Sequence, residues 1–132
     1  MKNHKSQYIS WAAQIIAAII LAQTLFFKFT AAPESVALFT KLGVEPFGRY
    51  FAGIMELITV ILLLIPRKSW LGAIFGIMTM GGAIMAHLTI IGIESDGDGG
   101  ELFFLALITL TCCLTVAYIR KIDIFARFYF LT

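Results

Sequence analysis

Four stretches of this chain are apolar for long enough to cross a bilayer, and that limits its fold more than any other feature. They run from Ile9 to Phe27, Tyr50 to Ile65, Trp70 to Ile93 and Leu102 to Ile119. Hydrocarbon offers backbone N–H and C=O groups no water, so each span must satisfy them internally as a helix. Four such helices use most of the 132 residues, which leaves one integral membrane domain and no room for a separate soluble one. Composition agrees, with 60% hydrophobic residues, 14% charged residues and a mean hydropathy of +0.92. The expected fold is all-α, a four-transmembrane-helix bundle.

The connections carry their own signals. "IPRKSW" places Pro66, Arg67 and Lys68 in a tight, wet turn between spans two and three. "IESDGDGGE" combines glycines with Glu94, Asp96, Asp98 and Glu101, which rules out continued helix. It lacks the full EF-hand pattern, so a solvated charged turn is the better expectation than a calcium loop. The longest connection, "KFTAAPESVALFTKLGVEPFGR", contains an amphipathic piece from Pro33 to Leu42. Pro33 suits its start and Gly43 its end. This predicts a short amphipathic interfacial helix between helices 1 and 2, with Val36, Phe39 and Leu42 on the bilayer surface.

Cations set the orientation. Lys2 and Lys5 precede span one, Arg67 and Lys68 follow span two, and Arg120, Lys121 and Arg127 follow span four. Those regions share one side, so both termini are expected to be cytoplasmic. The basic start resembles a signal peptide, but its apolar stretch is long and ends in Lys28, which favours a retained helix. The aromatic tail "FARFYFLT" is expected at the interface. A net charge of +2 with scattered cations does not suggest a nucleic-acid surface. Cys112 and Cys113 are adjacent, which fits neither a dithiol centre nor a metal site, and both read as small buried hydrophobes.

Polar residues inside the spans are the remaining anomaly. Gln23 lies about 7 Å below Lys28, Glu56 roughly 10 Å into span two, and His87 about 7 Å before Gly92. Glu101 opens span four on that same side. Four spans therefore contribute polar groups to one layer. An ionised side chain at the bilayer centre costs roughly 2.5–3.5 kcal/mol on insertion scales, so Glu56 is expected to face inward. Lys28 and His87 are its expected partners, with Arg49 less direct. Gly72, Gly76, Ala83 and His87 form a stripe on span three, and Gly53 shares a face with Glu56. Gln14 and Gln23 fit interhelical hydrogen bonds as well as substrate contacts. His4 and His87 fall on opposite sides, which argues against a bis-histidine haem site within one chain.

The ordered features resemble the DoxX and DoxX-like family of small bacterial membrane proteins. The matching elements are "FFKF" closing span one, "KLGVEP" in the long connection, "GIME" in span two, "PRK" after it, "AHL" in span three, and a Gly/Asp-rich lead into span four. The family usually has a glycine before the lysine of the first helix, where this chain has "LAQTLFFK". The resemblance implies a four-helix membrane bundle in which Lys28, Glu56 and His87 are the positions to test. Some relatives look like subunits of quinone-linked sulfur oxidoreductases, others are associated with oxidant defence, and distant ones assist membrane-protein assembly.

Two functions follow as expectations. In the first, the chain is a redox-associated subunit with a quinone-like ligand in the outer half of the bundle. Glu56 and His87 are then the candidate catalytic residues, and Lys28, Gln23, Arg49 and Glu101 the candidate ligand contacts, with His87 and Lys28 donating hydrogen bonds. No cofactor motif is evident in the sequence, so a quinone would be the cofactor and electrons would come from a partner subunit. In the second, the chain is a noncatalytic scaffold, assembly factor or accessory subunit whose polar layer braces the bundle. Partners are the lipid bilayer and other membrane or redox subunits, and a homo-oligomer is compatible with either function. A proton or solute pathway is weaker, since span four offers the opposite half only Thr109, Thr111, Thr115 and the cysteines.

Overall fold

A computed structural model describes residues 4–94 and 97–121. The tail from 122 onward with Arg127, together with Lys2 and Asp96, lies outside the described residues. The described chain is α-helical: α1 (His4–Phe29), α2 (Pro33–Lys41), α3 (Phe47–Leu64), α4 (Ser69–Ala86) and α5 (Glu101–Ile119), with no strand. A π turn, His87–Ile91, continues α4, so the third span runs Ser69–Ile91. All four long helices have the length and hydropathy to cross a membrane, which makes this a multi-pass membrane protein. The α1 helix begins at His4, one turn before the apolar stretch. At 26 residues it is about 39 Å long.

The helices close in a ring, α1 against α3, α3 against α4, α4 against α5, and α5 back against α1. Side-chain size sorts inward from outward. Large apolar groups such as Ile19, Phe26, Phe51, Ile61, Ile108 and Leu114 are exposed on the outside, as a lipid-facing surface requires. Small residues fill the seams, where association depends on close backbone approach rather than on a hydrophobic effect. A Cβ on Gly72 would sit 2.6 Å from the Leu63 backbone nitrogen, and one on Gly76 would strike the Cys113 sulfur. The glycine stripe read on span three is therefore a packing stripe. Gly53 similarly leaves space for the Phe29 ring, 3.0 Å from its virtual Cβ. Cys113 is fully buried and Cys112 half-buried, and both are free.

Between the two ends lies an apolar septum in which Ala17, Leu21, Leu63, Ala73, Cys113 and Val116 are 0–1% exposed. At the end away from α2, polar groups form a cluster that the sequence did not suggest. Gln14 accepts from Ser10 Oγ at 2.7 Å and donates to the Leu63 carbonyl at 2.7 Å. The Arg120 guanidinium turns under the bundle to donate to Ser10 Oγ at 3.0 Å and Gln14 Oε1 at 3.1 Å. Gln14 is thus the interhelical bond expected of it. Arg120, expected as a boundary cation, is buried, because its fork can reach two acceptors on α1 at once.

Helix α2 closes the opposite end. Pro33 occupies its first turn as expected. Its apolar face is turned onto the bundle, however, and Phe39 is buried rather than laid on the bilayer. Lys41 holds α2 there by donating to the Ile91 carbonyl at 3.1 Å, one of the acceptors that the end of a helix leaves free. Gly92, at φ +88°, takes the left-handed turn that stops the π segment. In the acidic turn Asp98 accepts from the Gly100 and Leu102 amides at 2.8 and 3.1 Å, capping the start of α5.

Candidate functional site

Under α2 the ring of helices forms a cavity of about 470 Å³ that is open on one side. All four spans and α2 contribute to its wall. Apolar groups dominate, including Leu21, Leu38, Phe39, Leu102, Leu105 and Ala106. Set among them are Lys28, Glu56, His87, Gln23 and Glu101, five of the six residues singled out from the sequence.

The centre of the polar wall is an ion pair between Lys28 Nζ and Glu56 Oε1 at 2.9 Å, with side chains 12% and 5% exposed. The Thr24 hydroxyl, 3.2 Å from Glu56 Oε2, serves the second carboxylate oxygen. Thr24 was not identified from the sequence, although it stands four residues before Lys28 and so on the same helical face. Lys28 ends α1 and Glu56 lies well inside α3, so the lysine reaches inward to the acid.

His87 shares the cavity wall but is not a partner of Glu56, contrary to the sequence expectation. Its Nδ1 lies 2.9 Å from the Ala83 carbonyl, four residues back in its own helix. That carbonyl can only accept, so Nδ1 carries the hydrogen, and in the neutral ring Nε2 is left as an acceptor. The expected donor role is therefore reversed in this state. Nε2 is buried and has no protein partner. The ring packs against Phe103 of α5, centroids 5.7 Å apart.

Arg49 is near this layer but outside the cavity wall. Its guanidinium donates to Glu45 Oε1 at 2.8 Å and to the Lys28 carbonyl, and lies over the Tyr50 ring. It caps the end of α1 and so positions Lys28, which differs from the ligand contact expected of it. Gln23 and Glu101 are exposed residues that also line the cavity, which puts them at its mouth.

Two further wall positions depart from the sequence reading, Gly82, which it did not single out, and Thr109, which it assigned to the opposite half of the bundle. Thr109 of α5 is fully buried, lines the cavity, and its hydroxyl has no partner. Gly82 of α4 also lines it, and a Cβ there would meet nothing within 4 Å. Among the described residues no group of three or more His, Cys, Asp or Glu side chains gathers as a metal site would require. The arrangement can hold a largely apolar molecule, hydrogen-bond it at buried points, and expose it to a carboxylate and an ammonium.

Comparison with family models matches residues 12–113 to the one described as the DoxX-like family. Comparison with curated proteins and with solved structures finds no match.

Proposed function

This chain belongs to the DoxX-like family, and from that premise we propose that it is a redox-associated membrane subunit holding a quinone-like amphiphile in the cavity beneath α2. One observation carries the proposal: an apolar cavity of about 470 Å³ whose wall contains buried polar atoms with no protein partner, His87 Nε2 and Thr109 Oγ1. Ligand sites combine an apolar enclosure with a few oriented polar groups, and unpartnered buried polar atoms are otherwise rare. A quinone, when bound, supplies two-electron, two-proton redox chemistry.

The protein's own residues then have distinct tasks. His87 orients a ring hydroxyl by accepting at Nε2. Glu56, held by Lys28 and Thr24, keeps or releases a proton at its carboxylate while Lys28 fixes the local charge. Helix α2 excludes water, and Gln23 and Glu101 guide the ligand at the mouth. Electrons come from a partner subunit in the bacterial inner membrane, with both termini cytoplasmic as the cation pattern favours.

Gly82→Leu tests this by filling the cavity, and Gly81→Leu is its control. The Gly81 Cβ direction is also open, but Gly81 does not line the cavity. Purified wild type and Gly81→Leu should retain extractable quinone or bind a short-chain quinone or its hydroquinone, and Gly82→Leu should do neither. Equal binding by all three proteins, or by none, refutes the proposal. The alternative function as a scaffold or assembly factor is favoured by the complete pairing of Lys28 with Glu56, which suits a brace. It predicts that Gly82→Leu fully complements a deletion strain.

A further inference from the structure

We infer that the cavity selects a ligand bearing a hydrogen-bond-donating hydroxyl, a hydroquinone or other phenol, with His87 Nε2 accepting from it and Thr109 as a second, deeper contact. The assignment rests on the cavity being the ligand site proposed above, and goes further by naming the form of the ligand that it prefers.

The first observation is the histidine tautomer. His87 lines the cavity and its Nδ1 is committed to a carbonyl, so in the neutral ring the buried Nε2 lone pair is left wanting a donor. A quinone carbonyl presents only lone pairs to it, whereas a hydroquinone hydroxyl presents a proton. A buried site built to bond a hydroxyl discriminates strongly against the analogue lacking it, because its own polar atom is then stranded.

Threonine behaviour supplies the second, independent observation. Seven of the other eight described threonines donate to a carbonyl four residues back, and Thr24 shares its proton between the Leu21 carbonyl and Glu56. That is how a hydroxyl normally satisfies itself in an apolar helix. Thr109 alone among the described threonines does not, although it is 0% exposed. Its hydroxyl can accept or donate, so it accommodates either oxygen of a ligand. It lies eight residues into α5, about 12 Å from Glu101, whereas His87 is about 7 Å from Gly92. The two contacts therefore meet different depths of the cavity.

The test uses the full-length protein in nanodiscs and three probes: a short-chain alkyl hydroquinone kept reduced under anaerobic conditions, its dimethyl ether, and the matching quinone. The ether preserves the ring and removes both donors. Calorimetric titration should show the hydroquinone binding at least tenfold more tightly than the ether or the quinone. His87→Phe, which preserves a ring against Phe103, should abolish that preference. Thr109→Val, nearly isosteric, should weaken hydroquinone binding while leaving the fold intact, so a failure of His87→Phe to fold does not remove the test. If the wild type binds hydroquinone and ether equally, or prefers the quinone, the selectivity is refuted and the ligand site survives. If it binds none of the three, the ligand site itself falls, and the selectivity with it.

Discussion

Replacing Lys28 should destabilise the bundle more than replacing Glu56, although the two residues form one ion pair. The asymmetry follows from depth. Glu56 stands nine residues beyond the start of α3, roughly 13 Å along the helix, with no route to the boundary. Lys28→Met leaves its carboxylate buried with only the Thr24 hydroxyl for company, at a cost of about 3 kcal/mol. Lys28 instead occupies the last turn of α1, so after Glu56→Leu its ammonium can swing outward, and the cost falls to about 1.5 kcal/mol. The double variant strands no charge but still loses the Thr24 hydrogen bond to Glu56, as Glu56→Leu does, and should also lie about 1.5 kcal/mol below wild type. The coupling is then about 3 kcal/mol, roughly two decades in the unfolding equilibrium. Unfolding in mixed micelles with increasing dodecyl sulfate, followed by the fluorescence of Trp11 and Trp70, measures all four corners of the cycle. Single effects that add to within about 0.5 kcal/mol would show that the pair does not interact and would remove the polar wall from the site.

Two other outcomes test the packing. Gly76→Ala should destabilise by about 1–3 kcal/mol through its clash with the Cys113 sulfur, and Cys113→Ala in the same chain should restore most of the loss in a thermal melt. Gln14→Leu strands Ser10, the Leu63 carbonyl and one Arg120 donor together, so its midpoint should fall by more than that of Gln23→Leu, whose parent side chain is exposed.

The four spans were legible because bilayer thickness imposes a length on any crossing helix, and the charged pair because a buried carboxylate in hydrocarbon demands a cation. Other features share their sequence signal with an alternative. An amphipathic segment such as Pro33–Lys41 carries the same pattern whether it rests on lipid or on protein, and here Phe39 chose protein. Arg120 follows a span in the manner of any boundary cation, and only the positions of Ser10 and Gln14 draw it inward. Thr109 was illegible for the opposite reason. A threonine in an apolar helix ordinarily bonds its own backbone, so only coordinates could reveal one that does not. The π turn at His87–Ile91 has no breaker before Gly92, and "HLTII" reads as ordinary helix.

The dry middle of the bundle has a cellular consequence. With Leu21, Leu63, Ala73 and Val116 packed shut between the cavity and the Arg120 cluster, the hydrogen ions that the proposed site would exchange at Glu56 would have a single compartment to come from and return to. Turnover of the kind proposed beneath α2 would then leave the electrochemical gradient across the membrane undischarged.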